Sequence, residues 1–243
     1  MLKGEYGFKV RSYECGEEGF ASLPSICNYL QEAASLNAEE LGFSKSNFVA
    51  QGNNLSWVLT RLVVKMTRYP TWEENIKVVT FPRGGRKIVA WRDFEIKAEN
   101  GEEIGLATSE WMLIDLATRK IVSIPESVLN ACEFGTQSVL GPEPFTARLK
   151  FPTDVTLNKV GPYQAMYSHI DLNGHVNNVH YIEWLLEPMK AARPMKIELV
   201  FRSETLVGES VFVENTESLD GQMYHRVFSP EGKDHIVAIT EGV

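Results

Sequence analysis

Cysteine is scarce in this 243-residue chain: Cys15, Cys27 and Cys132 are odd in number and widely spaced. They make neither a disulfide framework nor a Cys-x-x-Cys metal site. A reducing, cytoplasmic setting is therefore expected. No apolar run approaches the roughly 20 residues that cross a bilayer. The opening Met1 to Tyr6 lacks the apolar core of a secretory signal, so none is expected. Positive charge is also short, with 24 Lys and Arg against 32 Asp and Glu and a formal net charge of −8. Phosphate backbones need a basic face, so nucleic acid is not an expected partner. The chain has no Gly-x-Ser-x-Gly elbow, Gly-x-Gly-x-x-Gly, Walker A or His-Glu-x-x-His. His175 and His180 are too loosely placed to argue for a metal, and no cofactor is expected.

What the chain has is a hydrophobic share of 44 %, enough for a sizeable core, over a length that fits one or two domains. Gly135, Gly141, Pro142, Pro144 and Pro152 cluster between Glu133 and Pro152 and break helices and strands alike. This predicts a linker over 133–152 between units at 1–132 and 153–243. Each unit opens with a helix signal. The first covers about Leu23 to Leu41, with Ser22 as cap, Pro24 in the first turn and Gly42 after the end. The second covers about Val179 to Leu186, capped by Asn177 or Asn178 and stopped near Pro188.

Strand signals follow each helix in the same order. They lie at Leu55 to Thr67, Asn75 to Phe81, Trp91 to Lys97 and Ile104 to Leu113. Their counterparts are Met195 to Arg202, Ser210 to Glu214, Met223 to Phe228 and His235 to Thr240. Asn100-Gly101 and Glu231-Gly232 both read as hairpin turns. Both helices are apolar on most sides, the mark of a buried helix. A buried helix wrapped by a long antiparallel sheet is the hot-dog arrangement, so the expected class is α+β, a tandem double hot dog.

The chemistry concentrates between Ser168 and Tyr181. Asp171, Asn173 and His175 alternate with Leu172 and Gly174, and an extended segment would put all three on one side. A helix N-terminus follows, whose unpaired N–H groups and partial positive charge suit an oxyanion. Asn177 and Asn178 serve equally well as plain caps. The repeat favours a site: Gly16, Glu18 and Phe20 occupy the aligned positions in the first unit. A requirement of the fold alone would appear in both.

Asp171-Leu172-Asn173-Gly174-His175-Val176-Asn177-Asn178, followed by Tyr181-Ile182-Glu183-Trp184, resembles the signature of the acyl-ACP thioesterases of plants and bacteria. Tyr69-Pro70-Thr71-Trp72, Arg92-Asp93-Phe94, Ala107-Thr108-Ser109-Glu110-Trp111 and Thr118-Arg119-Lys120 resemble further elements of that family, in order along nearly the whole chain. The resemblance implies hydrolysis of fatty acyl-acyl carrier protein by Asp171, Asn173, His175 and Glu204. Plant members carry Cys directly after that Glu; here it is Thr205. A Cys–His mechanism is thus hard to build, and a carboxylate mechanism is expected. In it Glu204 or Asp171 activates water, or a carboxylate attacks directly. Backbone N–H groups near Asn177 and Asn178 would hold the oxyanion.

The family keeps its acyl chain in the first unit, which makes Ile26, Leu30, Leu55, Trp57 and Leu59 candidate lining residues; ordinary core is the plainer role for each. Acyl carrier protein is acidic, so docking on this acidic chain needs a local basic patch. Arg83, Arg86 and Lys87 form one candidate; Lys190, Arg193 and Lys196 form another. A homodimer is possible. The other readings are an acyl-CoA thioesterase, a hot-dog dehydratase or hydratase, and a non-catalytic acyl-binding module.

Overall fold

The computed structural model describes residues 3–130, 137–152, 155–190, 193–217 and 220–242. Cys132, the first part of the expected linker (133–136) and both expected unit boundaries, 132 and 153, lie outside them. In chain order the first half holds β1 (Gly4–Lys9), α1 (Leu23–Glu40), α2 (Lys45–Ala50), β2 (Leu55–Met66), β3 (Asn75–Arg86), β4 (Val89–Ala98), β5 (Glu103–Asp115), β6 (Lys120–Val122) and α3 (Glu126–Asn130). The second half holds β7 (Leu157–Gln164), α4 (Asn178–Leu186), β8 (Lys196–Phe201), β9 (Ser210–Thr216), β10 (Gln222–Phe228) and β11 (Asp234–Glu241).

Local chemistry sets the helix ends. The Ser22 hydroxyl accepts from Ser25 N at 3.2 Å, Pro24 sits in the first turn, and Gly42 takes φ 80° after the last. At α4 the cap is Asn177, whose Oδ1 accepts from Val179 N at 3.1 Å. Pro188 falls in the single 3-10 turn that ends α4, Glu187–Met189. Both expected hairpins form, with Gly101 at φ 87° between β4 and β5 and Gly232 at φ 85° between β10 and β11.

All eleven strands join one antiparallel sheet in the order β1-β3-β4-β5-β2-β8-β11-β10-β9-β7, with β6 paired to β5. The two halves of that order mirror each other about the β2–β8 pair. The sequence pattern missed β1 and β7, the outermost pair, because Gly4, Gly7, Gly161 and Pro162 interrupt them. Such residues are tolerated on an edge. One continuous hydrophobic core takes in α1 and α4 together, including Ile26, Leu30, Ile182 and Leu185, each at most 2 % exposed. Burying such a side chain contributes about 1.5–3 kcal/mol. The α+β tandem hot-dog architecture is thus present.

Two features of the seam between the halves matter for the site. Arg61 of β2 and Glu198 of β8 pair at 2.6 Å and are mostly buried, and Thr146 N donates to Glu198 at 3.0 Å. This fixes the described end of the linker to both halves. Thr60 is an extra residue opposite β5, between Leu59↔Trp111 and Arg61↔Glu110. Such a bulge bends the strand that carries it. β8 accordingly pairs with β2 only from Arg61 to Lys65, and the two strands part beyond that point.

Candidate active site

A cleft of about 1050 Å³ opens where β2 and β8 part. Asp171, Asn173, His175 and Glu204 all line it. The first three reach it by a route the sequence did not indicate. The segment is a tight turn rather than an extended strand. Ile170 bridges Val176, Asp171 N donates to His175 O at 2.8 Å, and Gly174 N donates to Asp171 O at 3.0 Å. Gly174 stands at φ 83°, where a side chain would be strained. Asp171 Oδ1 accepts from Asn173 N at 2.7 Å and stiffens the turn, while Leu172 sits at its tip, 99 % exposed.

Glu204 lies on the segment after β8, and its neighbours on either side are tied down. Val176 N donates to Thr205 O at 3.0 Å, joining the Glu204 segment to the turn. Ser203 Oγ and Thr205 Oγ1 each lie 3.1 Å from His235 Nδ1 on β11. Burial pushes the His235 imidazole below its ordinary range, which keeps it neutral at neutral pH. Thr205 is 0 % exposed and turned toward that histidine, so this position is not a nucleophile's here. Cys27 is buried and its thiol is pushed up to about 12 by desolvation. That is the state of an inert core cysteine.

His175 Nε2 lies 3.2 Å from Glu204 Oε2, and Arg119 Nη2 lies 3.2 Å from the same nitrogen. Arg119 also donates to Glu204 Oε2. One proton therefore decides the partner of Nε2: unprotonated it accepts from Arg119, protonated it donates to Glu204. Arg119 was not among the expected site residues, although Thr118-Arg119-Lys120 stood out as a motif. It comes from the other half of the molecule, at the tip of the β5–β6 hairpin. There Arg119 N donates to Asp115 O at 2.8 Å and Thr118 N donates to Asp115 Oδ1 at 2.7 Å. The latter bond holds the Asp115 carboxyl below its usual range. The backbone at Arg119, φ 58°, has no sequence signal, since non-glycine residues rarely adopt it.

Two more contributions come across the seam. Lys45 Nζ donates to Asn173 Oδ1 at 3.0 Å. Gln31 of α1 donates through Nε2 to Asn177 Oδ1 and accepts at Oε1 from Asn178 Nδ2, both at 3.4 Å. Asn28 and Glu32 stand beside Gln31 in α1, so nothing in the sequence singled it out. The expected oxyanion donors narrow as well. Asn177 N is already bonded to His169 O at 2.9 Å and Asn177 does not line the cleft. Asn178 does line it, and its backbone N–H has no partner among the described residues.

The expected acyl-lining set divides. Trp57 and Leu59 line the cleft, whereas Ile26, Leu30 and Leu55 do not. Ile26 and Leu30 are spent on the main core, and Leu55 packs against the smaller cluster around Phe48 and Leu113. The expected basic patches shrink too. Arg83 is not on the surface: β3 runs past Phe81 to Arg86, and Arg83 is buried with Nε donating to Asp93 Oδ1 at 3.1 Å. Arg193 is paired with Glu18 and lies 4.6 Å over the Phe20 ring, and Lys196 is paired with Glu241 at 2.9 Å. Arg86, Lys87 and Lys190 remain exposed. Among the described residues no group of three or more His, Cys, Asp or Glu could hold a metal ion.

The sequence profile of the acyl-ACP thioesterase N-terminal domain matches residues 3–132, and that of the acyl-ACP thioesterase C-terminal domain matches residues 153–241. A palmitoyl-acyl carrier protein thioesterase of Gossypium hirsutum, described as chloroplastic, is 34 % identical over 74 % of this chain and 45 % of its own length. The chloroplastic oleoyl-acyl carrier protein thioesterase 2 of Arabidopsis thaliana is 33 % identical over 74 % of this chain and 52 % of its own length. This chain thus spans about half the length of the curated relatives it matches. The solved 12:0-ACP thioesterase of Umbellularia californica superposes with a TM-score of 0.86 at 25 % identity, over 99 % of this chain and 97 % of that one. An acyl-ACP thioesterase of Bacteroides thetaiotaomicron shares the fold, with a TM-score of 0.79 at 22 % identity over 99 % of this chain and 97 % of that one.

Proposed function

This chain belongs to the acyl-ACP thioesterase family, and on that premise we propose that it hydrolyses fatty acyl-acyl carrier protein to free fatty acid and carrier thiol. The observation that carries the proposal is His175 Nε2 at 3.2 Å from the Glu204 carboxylate, in one cleft with Asp171 and Asn173. Glu204 Oε2 is occupied by His175 and Arg119, which leaves Oε1 for a water. Glu204 takes a proton from that water as its oxygen bonds to the thioester carbon. The carbonyl oxygen gathers charge against Asn178 N–H at the α4 N-terminus. The C–S bond then breaks, and the departing sulfur takes the proton back through His175, whose Nε2 changes partner between Arg119 and Glu204. Asn173, held by Lys45, orients the water. Arg119 is a positioning residue that fixes the Glu204 and His175 side chains relative to each other.

The acyl chain enters beside Trp57 and Leu59, at the part of the first half that reaches the cleft. The two described cysteines are both free thiols, which supports a reducing compartment. The test is thiol release from acyl carrier protein and CoA thioesters of C6 to C18, with wild type beside Asp171→Asn and Glu204→Gln. Release from the carrier thioesters that falls in both variants is expected. No release from any thioester contradicts the proposal. Preference for CoA thioesters would transfer it to an acyl-CoA thioesterase.

A further inference from the structure

One polar side chain in the cleft has no task in the proposed reaction. Gln31 lines the cleft but belongs to α1, in the other half of the molecule. Its amide reaches across to the start of α4, and the cap there decides which way it points. Asn177 Oδ1 accepts from Val179 N at 3.1 Å to cap the helix, so Gln31 must answer that oxygen with Nε2. Gln31 Oε1 is then turned to Asn178 Nδ2. Both bonds are long, at 3.4 Å, and Asn177 Oδ1 already serves Val179 N. An amide nitrogen carries two hydrogens, and the second on Gln31 Nε2 has no partner among the described residues.

The repeat supplies an internal control. The register that equates Gly19 with Gly174 and Cys15 with Ile170 also equates Gln31 with Leu186 and Asn178 with Leu23. Those two leucines pack with the main core. A requirement of the seam between the helices would place amides on both sides. The Gln31–Asn178 pair stands only on the side that carries Asp171, Asn173 and His175, and there both residues line the cleft. Asn178 also brings the unpaired backbone N–H at the α4 N-terminus. Amide donors from two helices thus meet at one end of the cleft.

We propose that Gln31 is a further catalytic residue, whose Nε2–H donates to the thioester carbonyl oxygen beside Asn178 N–H as charge builds there. The inference rests on the thioesterase reading above and completes its oxyanion site from the first half. As the water oxygen bonds to the carbonyl carbon, an electron pair moves onto the carbonyl oxygen, and the two N–H groups share that charge. When the C–S bond breaks, the pair returns to the carbonyl and the bonds relax. No proton leaves Gln31. A hydrogen bond to an oxyanion is roughly twice as strong as one between neutral groups. The gain therefore arises in the transition state and acts on kcat more than on KM. The long bond to Asn177 is one that Gln31 can give up to a better acceptor.

Thiol release from acyl carrier protein thioesters, together with melting temperature, is measured for wild type, Gln31→Met and Gln31→Glu. Methionine keeps the length of the side chain and removes its donor. The expected result is a fall in kcat of about 10²-fold, the usual loss for one oxyanion donor, with KM little changed and the melting temperature near wild type. Gln31→Glu removes the donor while its carboxyl is ionised and restores one when it is protonated. Its kcat relative to wild type should therefore climb as pH falls toward the carboxylate range. That ratio decides alone if Gln31→Met folds poorly. A kcat close to wild type in Gln31→Met overturns the inference and leaves the thioesterase reading intact. A purely structural role predicts lower melting temperatures in both variants and a Gln31→Glu ratio that does not change with pH, and that result overturns it too. No hydrolysis by the wild type overturns both readings.

Discussion

The turn before α1 and the turn before α4 are one backbone with two sets of side chains. Cys15 bridges Ala21 as Ile170 bridges Val176. Gly16 N donates to Phe20 O at 3.0 Å, and Asp171 N to His175 O at 2.8 Å. Gly19 and Gly174 stand at φ 78° and 83°. Each turn also receives cations from the opposite half of the molecule. In the first turn Arg193 pairs with Glu18 and stacks on Phe20. In the second, Lys45 bonds Asn173 and Arg119 bonds His175 and Glu204. The fold requires the backbone and the cross-seam cation, since both halves keep them. Within the two turns, the chemistry goes with the side chains that differ: Asp171 for Gly16, Asn173 for Glu18 and His175 for Phe20, which meet Glu204 in the cleft.

Substitution at matched positions can break that comparison. His175→Ala is expected to lower kcat by about 10²–10⁴, the usual contribution of a positioned acid–base group. Its melting temperature should stay near wild type. Phe20→Ala should do the reverse, costing stability through lost packing against the core while kcat holds; kinetics and melting curves on both variants check this. If the two variants behave alike, the halves are not divided as described.

The seam is the next place to probe. Removing one partner of the buried Arg61–Glu198 pair leaves an uncompensated charge, so Glu198→Ala is expected to destabilise by about 3–5 kcal/mol. Because the pair joins β2 to β8, urea unfolding should show both halves weakened together. Loss confined to one half would mean that the halves are held by other contacts.

The second half holds all five histidines of the chain, and one of them gives it a pH dependence of its own. Burial pushes the His225 imidazole down to about 4, against about 6.5 when unfolded. The unfolded chain thus binds the extra proton between those values. The stabilisation is complete above pH 6.5 and is lost as pH falls toward 4, about 3 kcal/mol in all. His225→Gln should flatten that part of the stability profile. An unchanged profile would remove His225 as its source.

The smallest effect concerns docking. Arg86→Glu with Lys87→Glu is expected to raise KM for the acidic carrier severalfold at low salt and less at high salt. KM unchanged at both would exclude that face.

The periodic parts of the fold were legible in the sequence. α1 ends within a residue of its expected limit because Ser22 and Gly42 are strong signals, and the inner strands follow their β-branched runs. β1 and β7 were illegible because edge strands tolerate the Gly and Pro that mask them. Of the site, Asp171, Asn173, His175 and Glu204 do meet in one cleft. Their turn geometry was not visible, since it depends on Gly174 and on the Asp171 side chain closing on its own backbone. Arg119, Lys45 and Gln31 were missed for one reason. Each is a first-half residue whose contact exists only after β2 pairs with β8, and no local pattern encodes that. Arg83 misled for a different reason: β3 continues through Pro82, carrying the arginine inside to Asp93 of the neighbouring β4.

The central claim is that the second turn holds the chemistry and the first does not. Thiol release from acyl carrier protein thioesters should be measured for wild type, Asn173→Ala and Glu18→Ala under one set of conditions. The account predicts kcat reduced by about tenfold or more in Asn173→Ala, which loses the group that orients the water, and kcat near wild type in Glu18→Ala. Equal losses in the two variants, or wild-type turnover in Asn173→Ala, would contradict it.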